Sequence, residues 1–147
     1  MCLIDTNISK FSMKHIVKAM DDNTKIQKKK KDSFNPFAMK NREAVRNINA
    51  LCFKHCYLGL TEIRVLTLGI KITKTLLRLD LSSNAMNSVS GAIICDGLKE
   101  NNSLIDINLA RNLLCDYFAE CLANTLRLNN ILWRVDISDN KITSVGA

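Results

Sequence analysis

Apolar residues recur along this chain with a period of 28 residues. The segment LIDINLARNLL occupies 104–114, LLRLDLSSNAM occupies 76–86 and LWRVDISDNKI occupies 132–142. One period further back, 48–58 has the same apolar spacing, with Cys56 where the other segments have asparagine. The corresponding positions are Ile48, Leu51, Phe53, Cys56 and Leu58; Leu76, Leu79, Leu81, Asn84 and Met86; Leu104, Ile107, Leu109, Asn112 and Leu114; Leu132, Val135, Ile137, Asn140 and Ile142. Four segments in one register indicate a structural repeat.

Each repeat combines a strand pattern with a helix pattern. Within L-x-L, the two apolar side chains point to one side of a strand and the intervening residue points to the other. Later in the repeat, apolar residues such as Leu66 and Ile70 lie four apart, on one face of a helix. The equivalent pairs are Ile94 and Leu98, and Leu122 and Leu126. The pattern predicts an α/β chain of side-by-side parallel strands, because one repeat alone cannot bury its apolar row.

The stacked repeats are expected to form a curved solenoid, a horseshoe segment. Helices are wider than the ~4.8 Å between neighbouring strands, so the strands take the concave face and the helices the convex face. Three full repeats and a truncated one fill 48–147, where no helix follows the last strand. Val135, Ile137 and Ile142 would then form an exposed apolar edge. This predicts self-association through the last repeat, or a fragment of a longer repeat protein.

Asparagines recur at two places in the repeat. Three of them follow the strands: Asn84, Asn112 and Asn140. A ladder of buried amides there would bind the backbone groups that the turn exposes. Cys56 takes this place in the first repeat and offers only a weak S–H donor, so this repeat is expected to be the loosest. The pairs Asn101-Asn102 and Asn129-Asn130 follow the helices, and we interpret them as the place where a left-handed residue ends each helix.

The first 47 residues lack the repeat. Apolar residues at helical spacing predict a short amphipathic helix over about 7–20, and the lysine-rich 21–33 predicts a flexible linker. Asn35 and Pro36 predict the start of a helix over about 36–47. These features divide the chain into three parts: a basic, partly disordered arm over 1–33, a capping helix or degenerate repeat over 34–47, and the repeats over 48–147.

Positive charge is concentrated in the first third. Residues 1–50 hold 11 Lys and Arg against 5 Asp and Glu, whereas 51–147 hold 10 against 9. We interpret the run Lys28, Lys29, Lys30 and Lys31 as a solvated part of the linker, with a nuclear-import signal or contact with nucleic-acid phosphates as alternatives. Nucleic-acid binding is disfavoured because no aromatic residues are interleaved with these lysines to stack on bases.

The sequence favours a reducing, intracellular setting. Charged residues interrupt the first 20 positions, so no signal peptide is predicted, and no apolar run approaches the ~20 residues of a membrane span. The six cysteines could form disulfides, but Cys56 and Cys95 fall on inward repeat positions, as buried thiols do.

No catalytic, metal or cofactor site is predicted. Cys52, His55 and Cys56 do not have the spacing of a zinc finger, and the repeat register turns Cys56 inward and Cys52 outward. Cys115 and Cys121 lack a basic neighbour that would lower the thiol pKa, so buried or idle thiols are expected. We therefore expect a protein that is not an enzyme.

The pattern L-x-x-L-x-L-x-x-N/C-x-L with a 28-residue period resembles the ribonuclease-inhibitor-like class of leucine-rich repeats, over about 48–147. The resemblance implies a cytoplasmic scaffold that binds a protein partner on its concave face. Other members of the class are segments of innate-immune receptors, ciliary or centrosomal scaffolds and activators of the Ran GTPase. These imply three alternatives: a receptor segment, a ciliary or cytoskeletal location, or GTPase regulation.

Alternation along the strands predicts which residues line the concave face. The predicted partner-binding residues are Arg78, Asp80, Ser82, Asp106, Asn108, Arg111, Arg134, Asp136 and Ser138. Opposite charges on neighbouring strands could simply pair with one another, as exposed ion pairs worth ~0–1 kcal/mol, or could select a partner. Arg111 precedes the ladder asparagine, where Ran activators place functional polar residues. Trp133 is a candidate anchor, but packing against the preceding helix is favoured.

Overall fold

The computed structural model describes residues 2–4, 10–32 and 48–146. Strands and helices alternate along these ranges. The strands are β1 (Cys2–Ile4), β2 (Ala50–Lys54), β3 (Arg78–Asp80), β4 (Asp106–Asn108) and β5 (Arg134–Asp136). The helices are α1 (Lys10–Asp32), α2 (Leu60–Ile72), α3 (Ser88–Glu100) and α4 (Asp116–Leu126). The helix predicted over 36–47 lies outside the described residues.

The strands form one parallel sheet in chain order, β1-β2-β3-β4-β5. From β2 onward, neighbouring strands pair with an offset of 28 residues, so Ala50, Arg78, Asp106 and Arg134 lie in one row across the sheet. The sequence period is therefore also the register of the sheet. We call each strand, with the turn and helix that follow it, a rung.

Apolar side chains from the strands and helices form one core. Leu81 and Leu109, which follow β3 and β4, are both 0% exposed. The helices supply the other side of this core, and their buried residues include Ile63, Leu66, Ile70, Ile94, Leu98, Phe118 and Leu122. Val135 and Ile137 in the last rung are only partly buried, because no described strand pairs with the outer edge of β5. The fold is thus α/β, with a parallel sheet whose buried face packs on helices.

Each helix packs on the next helix in the chain. Close approach of α3 and α4 requires Gly91, because a Cβ atom there would lie 2.4 Å from Cδ2 of Phe118. Phe118 fills this space and is fully buried. Leu126 was predicted to point at the sheet but is exposed, since it is the last residue of α4.

The N-terminal region differs from the prediction. Helix α1 runs without a break from Lys10 to Asp32, so the predicted linker over 21–33 is helical up to Asp32. The backbone of Lys28 to Lys31 lies in this helix. Strand β1 adds a fifth strand, which pairs with β2 at an offset of 50 residues instead of 28. Because β1 has only three residues and does not follow the 28-residue period, no repeated pattern in the sequence predicts it.

The asparagines at the helix ends also differ from the prediction. Asn101 has φ −79° and ψ 136°, an extended conformation, so the interpretation as a left-handed residue is wrong. Its side chain is buried and bridges rungs, donating to the Ile70 carbonyl at 2.7 Å and accepting from the Leu104 N–H at 2.7 Å. Asn129 repeats this arrangement with Leu98 and Leu132. These two side chains satisfy buried backbone groups, which favours asparagine over glycine here.

Candidate functional site

The exposed face of the sheet carries rows of polar side chains at right angles to the strands. Alternation points Leu79 into the core and Arg78 and Asp80 outward. An open groove of about 360 Å³ crosses this face. Its lining residues are Ala50, Leu51, Cys52, Arg78, Leu79, Asp80, Asp106, Asn108 and Arg134. Five of the predicted partner-binding residues therefore border one shared space.

The first row contains Arg78, Asp106 and Arg134 on three neighbouring strands. Arg134 binds Asp106 through two contacts, Nη2 to Oδ2 at 2.9 Å and Nε to Oδ1 at 3.2 Å. Within residues 2–4, 10–32 and 48–146, no ion pair or side-chain hydrogen bond involves Arg78, which is exposed. One guanidinium in the row is thus neutralised and the other is available to a ligand.

The second row contains Asp80, Asn108 and Asp136, and each has a structural role. Their side-chain oxygens accept the backbone N–H two residues later, at 2.9 Å, 3.0 Å and 3.0 Å respectively. These bonds close the turn at the end of each strand. The hydroxyl of Ser138, followed by its backbone N–H, holds the pKa of Asp136 below its usual range. Part of the predicted binding row is therefore already engaged in the fold.

The two serines of the third row lie in different environments. Ser82 is only 5% exposed, so its prediction as a partner-contacting residue is wrong for this surface. Its carbonyl accepts from the amide of Asn84 at 3.1 Å and from the His55 N–H at 3.0 Å, which draws it into the turn. Ser138, the equivalent residue of the last rung, is exposed.

Arg111 does not line the groove, and its side chain is paired. Its Nε lies 3.2 Å from Oδ2 of Asp139, and both side chains are exposed. Both residues have a left-handed backbone, with φ of 56° and 52°. Equivalent positions in the earlier rungs, His55 and Ser83, are also left-handed. This conformation belongs to the turn of every rung and does not single out Arg111.

The strand-end asparagines form a ladder of hydrogen bonds between neighbouring rungs. Asn112 accepts the N–H groups of Asn84 and Met86 at 3.0 Å each, and donates to the carbonyls of Leu81, Leu109 and Ala110. Asn84 bridges to the rung before it, accepting from the Cys56 N–H at 2.9 Å. Asn140 is less buried and accepts from the Leu114 N–H. Buried Cys56 offers its thiol to the Lys54 carbonyl at 3.5 Å.

A row of apolar residues at the start of the strands was not predicted. Trp133 is 90% exposed, so the predicted packing on the preceding helix is wrong. It follows Ile105 and Leu77 at the 28-residue spacing, and backbone hydrogen bonds link the three residues across the sheet. The 28-residue spacing of Leu77, Ile105 and Trp133 is the sequence signal that could have predicted this row. Each of the three residues directly precedes a residue of the charged row.

Five cysteines are thiols and not disulfides: Cys52, Cys56, Cys95, Cys115 and Cys121. Burial raises the pKa of Cys95 to about 11. Cys115 differs from the prediction, because a hydrogen bond between its thiol and the hydroxyl of Ser88 lowers its pKa, and Ser88 lies 27 residues away in sequence. His55 stacks near Tyr57 at a centroid distance of 4.9 Å. No group of three metal-ligating side chains occurs in the described ranges.

Comparison with known proteins provides a fold likeness. No protein-family model and no curated protein matches the sequence. A solved structure, "Leiomodin-1 Actin-Binding Site 2 (ABS2)", matches with a TM-score of 0.68 and 12% identity over 90% of this chain. The match covers 64% of that structure's chain, and at this identity it shows the fold alone. Among the described residues, no helix has both the length and the hydropathy of a membrane span.

Proposed function

We propose that this chain is a leucine-rich-repeat solenoid of the ribonuclease-inhibitor-like class that binds a protein partner on its concave sheet face. The observation that carries the proposal is the groove, in which Arg78 is exposed and, among the described residues, is not paired with an acidic side chain. A buried repeat core with a polar groove suits recognition of a partner, and the thiol of Cys52, which borders the groove, lies 3.9 Å from the carboxylate of Asp80. We therefore assign binding to this protein.

The charges favour an acidic group on the partner. Asp106 is already engaged by Arg134, and Asp80 keeps its charge while it accepts the Ser82 N–H; among the described residues the guanidinium of Arg78 has no ion-pair partner. A carboxylate from the partner would form a charge-assisted, two-point contact with this guanidinium. The guanidinium of Arg78 would then disfavour partners that present positive charge at the same point.

The alternative functions and cellular settings are supported by fewer observations. GTPase regulation through Arg111 requires this residue to leave Asp139 and engage a second protein. A scaffold in the cytoplasm, including the cytoskeleton, suits the proposed binding role. Actin is the first partner to try, because the matched structure is titled as an actin-binding site and shares the fold. Ciliary and innate-immune settings are proposals from the family resemblance, and a nuclear setting is a proposal from the run Lys28 to Lys31.

A charge-reversal comparison tests the proposed binding face. Tagged wild-type chain, Arg78→Glu and the control Arg64→Glu are used to capture proteins from source cells, and binding of each to purified actin is measured by calorimetry. Arg64 is an exposed arginine of α2, so its reversal matches the charge change away from the groove. We expect Arg78→Glu to weaken the captured interaction at least about tenfold, or ~1.4 kcal/mol, while Arg64→Glu binds normally. Equal capture by all three proteins would contradict the assigned face.

A further inference from the structure

Two inner strands, β2 and β3, carry three charged side chains on the exposed face of the sheet. Lys54 and Arg78 are exposed, and Asp80 is half-buried. Within the described ranges, none of the three takes part in a salt bridge. Each of the two strands has a paired neighbour on both sides, so these charges do not lie at a sheet edge. They are available to a ligand that lies on the sheet.

The hydrogen bonds of Asp80 leave its charge available. Its Oδ1 accepts the Ser82 N–H at 2.9 Å, and its Oδ2 lies 3.9 Å from the thiol of Cys52. Neither donor is a cation, and the second contact is longer than a strong hydrogen bond. Asp106 on the next strand differs, because Arg134 already binds both of its oxygens. Oδ2 of Asp80 can therefore accept from a basic group of a partner.

The register of the strands sets the three charges at equal steps. Cys52 lies opposite Asp80, and Lys54 follows two residues later on the same face. Side chains on one face of a strand recur every two residues, about 6.6 Å apart. Along the strand direction the charges are positive at Arg78, negative at Asp80 and positive at Lys54. They span about 13 Å, with Lys54 displaced sideways by one strand.

Small side chains beside the charges leave room for a ligand. Ala50 and Cys52 of β2 are partly exposed and line the groove, directly opposite Arg78 and Asp80 of β3. A chain that lies over these two small residues can approach the sheet closely. Its side chains can then reach the charges of β3 from the side.

We propose that the partner enters this groove as an extended segment in which alternate side chains are acidic, basic and acidic. The inference rests on the proposed partner-binding face and specifies the chemistry of its ligand. Alternate side chains of an extended chain project to one side at the same step as the charges of the groove, so each meets an opposite charge. One carboxylate binds the guanidinium of Arg78 at two points, the basic side chain binds Asp80, and the second carboxylate binds Lys54.

The spacing favours an extended segment over a helix. A helix advances only about 5.4 Å per turn, so after two turns its third contact falls about 2 Å short of Lys54. A segment with the opposite order of charges places like charges at all three positions, which disfavours its binding. Because the pattern acidic, basic, acidic is the same in both directions, either direction of the bound segment satisfies it.

Synthetic peptides test the order of the charges. Capped Ala-Glu-Ala-Lys-Ala-Glu-Ala is compared with its isomer Ala-Glu-Ala-Glu-Ala-Lys-Ala, which has the same composition and net charge. Binding is measured by NMR titration of the isotope-labelled chain at low ionic strength. We expect the first peptide to bind at least about threefold more tightly, because the isomer loses at least one pair of opposite charges in every register. A peptide with Glu, Lys and Glu four residues apart, at helical spacing, should bind no better than the isomer.

Charge reversal in the chain supplies the reciprocal test. The double variant Lys54→Glu, Arg78→Glu makes all three positions acidic and leaves the turn bond of Asp80 in place. This variant should prefer Ala-Lys-Ala-Lys-Ala-Lys-Ala, whereas the control Arg64→Glu, exposed on α2, should keep the preference of the wild-type chain. The amide spectrum of each variant shows whether it is folded.

Three results would overturn the proposal: equal binding of the two isomers by the wild-type chain, tighter binding of the peptide with helical spacing, or no amide shifts on β2 and β3 with any peptide. Equal binding of the isomers, together with loss of the captured partner on Arg78→Glu, would reject the charge order and leave the partner-binding face intact. Discrimination between the isomers, together with unchanged capture by Arg78→Glu, would support the charge order and contradict only the assigned role of the face.

Discussion

The two ends of the sheet show how burial depends on neighbours. At the N-terminal end, α1 packs the fully buried Met13 and the nearly buried Met20 against the core, and it turns Lys14 and Lys18 to solvent. At the C-terminal end, Ile137 occupies the same repeat position as buried Leu109 yet stays partly exposed. The two residues differ little in hydrophobicity, so the next rung, and not the residue, decides how much apolar surface leaves water.

The largest expected effect is a difference in the free energy of unfolding between a substitution in the inner core and the equivalent substitution in the last rung. Leu109→Ala should destabilise the chain by about 3–5 kcal/mol, because its side chain is fully buried and leaves a cavity. Ile137→Ala should cost only about 1–2 kcal/mol, because solvent already reaches this site. Urea unfolding at concentrations where the chain is monomeric measures both. Similar losses for the two variants would contradict the difference between the ends.

The asparagine ladder provides a second matched pair. Asn112→Ala leaves two buried N–H groups and three carbonyls without their amide partner, and we expect a loss of about 2–4 kcal/mol. Asn140→Ala removes a less buried amide from the last rung, so a loss of about 1 kcal/mol is expected. Thermal unfolding compares the two. A larger loss at Asn140 would show that the ladder is not strongest in the interior.

Acid should release the C-terminal segment before the interior unfolds. Asp116 accepts the N–H and the hydroxyl of Thr143, both at 2.7 Å, and these bonds lower the pKa of Asp116 below its ordinary value of 3.8. The stabilisation is therefore present above pH 3.8 and disappears as the pH falls through the lower folded value. The protection factor of the Thr143 amide, measured by NMR hydrogen exchange, should fall in that range. Asp116→Asn should remove the pH dependence, and a persistent acid step in this variant would assign it to another group.

The smallest expected effect concerns the turn of an inner rung. Ser83 has a φ of 58°, a conformation that costs a residue with a side chain more than it costs glycine. Ser83→Gly should therefore be neutral or stabilise the chain by up to about 1 kcal/mol, whereas Asp139→Gly also loses the contact with Arg111 and should gain less. Differential scanning calorimetry can resolve this difference. A destabilised Ser83→Gly would indicate that its side chain has a further role.

The sequence predicted the features that repeat. The 28-residue period specified the strand register, the inward apolar positions and the rows containing Arg78 and Asp106. Residue propensity predicted the structure correctly where the local pattern and the stacking of rungs favoured the same conformation. At Asn101 the prediction from propensity is wrong. An amide is needed there because it donates to the buried carbonyl of Ile70 in the preceding rung, and not because the backbone is left-handed.

Other features depend on long-range contacts that no local pattern carries. Ser88 approaches Cys115 only because consecutive rungs stack, so the lowered thiol pKa could not be read from neighbouring residues. The exposure of Trp133 follows from its place on the outermost strand. The helical backbone of Lys28 to Lys31 was not predicted, because adjacent like charges usually favour an extended, solvated chain.

Native-state hydrogen exchange tests most directly whether neighbouring rungs supply the cover that a single rung lacks. The measurement compares the amides of Leu109 and Ile137 in the chain at concentrations where it is monomeric. We expect the Leu109 amide, which is bonded to the next rung, to exchange only through global unfolding, and the Ile137 amide to exchange many times faster. Equal protection of the two amides would contradict the dependence of each rung on its neighbour.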